Sequence, residues 1–113
     1  MILRSEQLNH LASEYQKRLL LSWAAELRWR YPTILDGVGD QEVIQVIKTN
    51  WAEADRLEIR GEEQIWRYVC LRFDMLGIAG SSYRLSVIAS ILRNLNWPGA
   101  KRLDFIGRHV IRS

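Results

Sequence analysis

The sequence predicts an all-α protein: a single domain, residues 1–113, built as a bundle of about five helices around a buried central helix at 62–76. Three observations carry that expectation. Apolar residues recur at spacings of three and four along most of the chain, which marks helical faces. Glycine and proline fall between those stretches, where they end helices. No segment sustains the period-two alternation of a strand. The expected helices lie near 5–30, 41–58, 62–76, 82–95 and 98–111.

The first helix starts at Ser5, a residue type suited to capping. Leu8, Ala12, Tyr15, Leu19, Trp23 and Leu27 follow at helical spacing. Arg28 and Arg30 occupy its last turn, where cations suit the negative end of the helix dipole. Pro32 disfavours helical geometry at Tyr31, so the helix ends near Arg30. Thr33–Gly39 connects to a second helix capped by Asp40, with Val43, Ile44, Ile47, Trp51 and Ala54 as its stripe. It ends near 57–60, and Gly61 separates it from the third.

That third stretch, GEEQIWRYVCLRFDMLG from Gly61 to Gly77, organises the expected bundle. Glu62 and Glu63 suit the positive end of a helix. Ile65, Val69, Phe73 and Leu76, with Trp66 and Cys70, make one face; Tyr68, Leu71 and Met75 make a second. A helix apolar nearly all round is a buried one. Gly77 is the expected stop, in a left-handed conformation. A fourth helix, capped by Ser81 or Ser82, presents Leu85, Ile88, Ala89, Leu92 and Leu95. Asn96–Gly99 interrupts it, Pro98 takes the first position of a fifth helix, and Leu103, Ile106 and Val110 face inward before the end frays toward Ser113.

At 113 residues the chain can bury a core, and its 48% hydrophobic and 26% charged content is that of a globular protein. No apolar run reaches the roughly 18–20 residues of a membrane span. The opening residues MILRSEQ lack the apolar core of a signal peptide, and one cysteine forms no internal disulfide. A cytoplasmic protein is the simple expectation. Charge is uneven: residues 1–35 carry five bases and three acids, 36–74 five and nine, 75–113 six and one. The basic last third could attract nucleic acid or an acidic protein, or dock on the acidic middle. Its bases are dispersed and carry no reading motif, which disfavours nucleic acid.

Catalytic and metal constellations are absent from the pattern. His10 and His109, the two histidines, stand far apart with no Cys/His spacing around them. Cys70 sits in the most apolar helix, a place for a structural thiol rather than a nucleophile. The acids Glu53, Asp55, Glu58, Glu62 and Glu63 read as an exposed face, and no glycine loop is followed by Lys-Ser/Thr. The expectation is a non-enzyme without cofactor or metal. The five tryptophans say more. Trp23, Trp51 and Trp66 fall on core stripes, and Trp97 stands at a helix junction. Trp29 lies about 140° round its helix from the Leu19–Trp23–Leu27 line. Tryptophan and arginine dominate binding hot spots, so Arg28, Trp29, Arg30 and Tyr31 form a candidate partner-binding surface. The competing reading packs Trp29 onto the Tyr-Pro turn.

The segments SEQLNHL, RWRYP, VIQVIKTNWAEADRLEIRGEEQIWRYVCLRF and ILRN with PGAKRLDFI span nearly the whole chain. In this order they resemble the small helical proteins encoded beside PAAR spike proteins and toxic effectors of bacterial type VI secretion systems. Tyr31-Pro32, Ala54, Ile59, Glu63 and Tyr68 stand at the places of that family's helix pattern, while Ile78–Tyr83 replaces its aspartate- and proline-rich segment. The resemblance implies a cytoplasmic, non-enzymatic co-chaperone that binds an effector chaperone or PAAR protein and assists effector loading. The alternative is an immunity protein that presents the acidic stretch 53–63 to a cognate toxin.

Overall fold

The computed structural model describes residues 5–78, 80 and 82–111, with side chains from residue 14 onward. The described residues form five α-helices and no strand: α1 (Ser5–Arg30), α2 (Asp40–Arg56), α3 (Glu62–Gly77), α4 (Ser82–Leu92) and α5 (Gly99–Ile106), the last continued by a π-helical turn, Gly107–Ile111. The expected cap side chain at Ser5, the burial of Leu8 and Ala12, the surroundings of His10, the cap at Ser81 and the fraying at Ser113 lie outside the described residues. The chain divides into two compact units, Met1–Ile47 and Lys48–Ser113, and the division falls within α2.

Among the described residues of the first unit, the buried ones are Leu20, Trp23, Ala24 and Leu27 of α1, Leu35 of the connector, and Val43 and Ile47 of α2. Tyr15 was expected on the α1 stripe and is 59% exposed. The cause is helical drift: each four-residue step overshoots a turn by about 40°, so Tyr15 stands about 120° from Leu27 after three such steps. The connector is a run of turns closed by backbone bonds, Leu35 N–H to Tyr31 O at 3.1 Å and Val38 N–H to Leu35 O at 3.1 Å, with Gly37 at φ 77°. Gly39, not Asp40, caps α2: its carbonyl accepts the Val43 N–H at 3.1 Å, which puts Asp40 at the first helical position.

In the second unit α2 ends in a Schellman motif. Ile59 N–H reaches Ala54 O at 2.8 Å and Glu58 N–H reaches Asp55 O at 3.0 Å. The left-handed residue is Glu58, at φ 59°, and Ala54 and Ile59 are both fully buried. Gly61, at φ 91°, opens α3. Gly77 stays inside α3 rather than stopping it, and the end is closed by Ile78 N–H on Met75 O at 3.1 Å.

α3 buries Ile65, Tyr68, Val69, Cys70, Leu71 and Phe73, as its two apolar faces require. Its last turn is uncovered: Leu76 is 58% exposed although it shares the face of Ile65 and Val69. Trp66 and Met75 are half-buried.

α4 stops at Leu92 rather than 95, because the Asn94 side chain accepts the Asn96 N–H at 3.3 Å and folds the chain into a turn. Leu95 is therefore 52% exposed instead of lying on the α4 stripe. Pro98 is the cap of α5 rather than its first residue, with φ −56° and ψ 150°. α5 and its π turn pack against both α3 and α4 and bury Leu103, Ile106 and Val110. The most deeply placed charge among the described residues of this unit is Arg102, 1% exposed. Its guanidinium donates to the Trp97 carbonyl at 3.0 Å and to the Leu92 carbonyl, which ties the α4–α5 turn to α5. Burial pulls its pKa below the ordinary arginine value, and the Glu58 carboxylate partly opposes that.

Candidate partner-binding surface

The last turn of α1 and the residue after it carry the four residues singled out in the sequence, and the structure gives them different roles. Trp29 is 80% exposed. It points away from the buried line because it stands opposite Leu27 and Leu20 on the helix. An indole this exposed is not packed on the Tyr31-Pro32 turn, which removes the competing reading of its position.

Arg28 is committed to the fold. Its Nε donates to Asp40 Oδ1 at 3.0 Å, its Nη2 lies 2.8 Å from the same oxygen, and Nη2 also donates to the Val38 carbonyl. It joins the end of α1 to the start of α2 across the connector. Arg30 lies 3.6 Å from Glu26, one turn back on the same helix. Such exposed pairs contribute little, so a partner carboxylate can compete for Arg30 at small cost. Tyr31 is half-buried; its N–H donates to Leu27 O at 2.8 Å and continues the helical ladder.

Two residues that the sequence reading passed over complete the surface. Leu21, 51% exposed, and the exposed Ala25 precede Trp29 at spacings of four. The three form one outward apolar line, with Arg18 and Ser22 exposed beside it. The signal was present in the spacing, on the side of the helix opposite the core. An apolar line ending in an indole and edged by polar groups is the anatomy of a small protein-binding patch.

Elsewhere the described residues offer little reactive chemistry. No group of three His, Cys, Asp or Glu converges among them. Cys70 is buried and unbonded to another sulfur. His109 is exposed and lies against Phe105, with ring centroids 4.6 Å apart and planes tilted by 42°. Among the described residues no helix is long and apolar enough to cross a membrane. No known protein family, curated protein or solved structure matches the chain significantly.

Proposed function

We propose that this chain is a non-enzymatic, cytoplasmic accessory protein that works by binding other proteins: a co-chaperone that helps load an effector of a type VI secretion system. The direct partner in this reading is an effector chaperone or a PAAR spike protein. The partner class comes from the sequence resemblance. The structural observation that supports protein binding is the exposed indole of Trp29 at the end of the Leu21–Ala25–Trp29 line.

The immunity reading draws less support. It needs unengaged acids over 53–63, but Asp55 pairs with Arg60 at 3.3 Å and Glu53 lies 3.9 Å from Arg72. The test is Trp29→Ala, with melting temperature and partner affinity measured on the same preparation. Binding to the chaperone or PAAR protein encoded beside it falls by about 2 kcal/mol or more, the scale of a hot spot, while the melting temperature is nearly unchanged. Unchanged affinity for each neighbouring gene product removes the site. Retention of the isolated toxin domain alone turns the assignment to immunity.

A further inference from the structure

The second unit holds an open cleft of about 300 Å³ between the end of α2 and the end of α4. Leu57, Ala89 and Leu92 line it with aliphatic surface; Glu53, Arg56 and Arg93 supply its charge. We propose that this cleft receives the C-terminal residue of a partner polypeptide, its aliphatic side chain on Leu57, Ala89 and Leu92 and its carboxylate between Arg56 and Arg93.

The charge of the cleft argues for an anion. Its one carboxylate, Glu53, lies 3.9 Å from Arg72. The two arginines are under-used. Arg56 makes one stretched contact, Nε to Ala52 O at 3.5 Å, and the Arg93 side chain makes no hydrogen bond or ion pair among the described residues. Both stand at helix C-termini, where carbonyls attract cations, yet neither is held closely by those carbonyls. With Glu53 counted, the two exposed guanidiniums leave the cleft lining one net positive charge, which favours a further anion. A carboxylate matches the guanidinium fork geometrically as well as in charge.

Size and shape decide which carboxylate. The volume, about 300 Å³, is at the small end of ligand sites and admits one aliphatic residue with its carboxylate. The cleft opens to solvent, so it leaves an exit for a chain and does not enclose a free metabolite as small-molecule sites do. Capture of a chain end by its carboxylate is an established mode of peptide recognition. The proposal rests on the protein-binding reading only for who supplies the chain end.

The probes are a pentapeptide ending in leucine as the free acid, the same peptide as its C-terminal amide, and N-acetyl-leucine, each titrated calorimetrically into the full chain. The free acid binds, the amide binds about tenfold or more weakly, and Arg93→Gln and Arg56→Gln each lower free-acid affinity by a similar factor. Both arginines are exposed, and an unchanged melting temperature of each variant separates lost binding from lost fold. No measurable binding, or equal binding of acid and amide, overturns the proposal. N-acetyl-leucine carries the same side chain and carboxylate, so it binds within about tenfold of the pentapeptide; a pentapeptide that binds where N-acetyl-leucine does not overturns the placement of the terminal residue in the cleft. Trp29→Ala leaves peptide binding intact, so this cleft and the α1 surface fail or stand separately.

Discussion

Replacing Arg102 by methionine tests whether the buried guanidinium holds the second unit together. Methionine keeps an unbranched stem of similar reach and removes the charge and its donors. Two carbonyls, Leu92 O and Trp97 O, then lose their charged partner. Hydrogen bonds to a charged group contribute about 1.5–3 kcal/mol each, so the gross loss is about 3–6 kcal/mol. Against this stands relief from desolvation: a residue 1% exposed keeps its guanidinium out of water, which is why its pKa is depressed.

A net destabilisation of about 2–4 kcal/mol is expected, a large share of the roughly 5–15 kcal/mol typical of a domain. Urea unfolding at neutral pH followed by far-ultraviolet circular dichroism reads it as a lower midpoint at constant slope. Arg102→Lys falls between the two, since its compact head cannot reproduce the fork. If Arg102→Met is as stable as the parent, the two hydrogen bonds do not outweigh the burial of the charge, and the clamp is not a stabilising device.

Four further substitutions probe the same fold. Glu58→Gly removes the strain of a left-handed glutamate, about 1–2 kcal/mol, against the entropy of glycine, about 0.5–1 kcal/mol; a rise in stability of about 0.5–1 kcal/mol by denaturant titration is expected. Phe73→Ala costs about 3–5 kcal/mol because the ring is 5% exposed, and Trp66→Ala costs less because that ring is half-buried; equal losses contradict the burial pattern. The Tyr68 pKa is raised above 10, by burial first and by Glu53 next, against the opposing pull of Arg72 and Arg56. Below pH 10 both states keep the phenol protonated. Above it the unfolded state ionises first, so stability falls with pH up to the raised folded value, by at most about 1.4 kcal/mol per unit. Tyr68→Phe lacks this component, and identical alkaline profiles for the two proteins contradict it.

Periodicity made the helices legible, because their apolar faces lie in the sequence itself. Their ends depended on side-chain and backbone details that periodicity does not contain. The left-handed cap of α2 is normally signalled by glycine, and here Glu58 takes it while the obvious glycine, Gly61, lies three residues on. Asn94 ends α4 through its own side chain, a local bond that overrides an apolar residue still on the stripe. Arg102 reads as a surface charge and is buried, since only tertiary packing brings it under the α4–α5 turn. The exposure of Trp29 followed from its angle on the helix. The Arg56–Arg93 cleft joins residues far apart in the chain and has no sequence pattern.

The hold of Arg28 on Val38 and Asp40 has a consequence for the indole beside it. Last turns of helices fray, and a ring on a fraying turn must be immobilised before anything can grip it. Here the α1 terminus is pinned to the connector and to the first residue of α2, and the Tyr31 amide extends the ladder past it. The backbone under Trp29 is therefore fixed in advance. Whatever meets the ring must restrain its two side-chain torsions and little else, an ordering cost of about 0.5–1.5 kcal/mol per immobilised side chain. The ion pair adds little to stability at such an exposed place, but it makes the neighbouring surface a preorganised one.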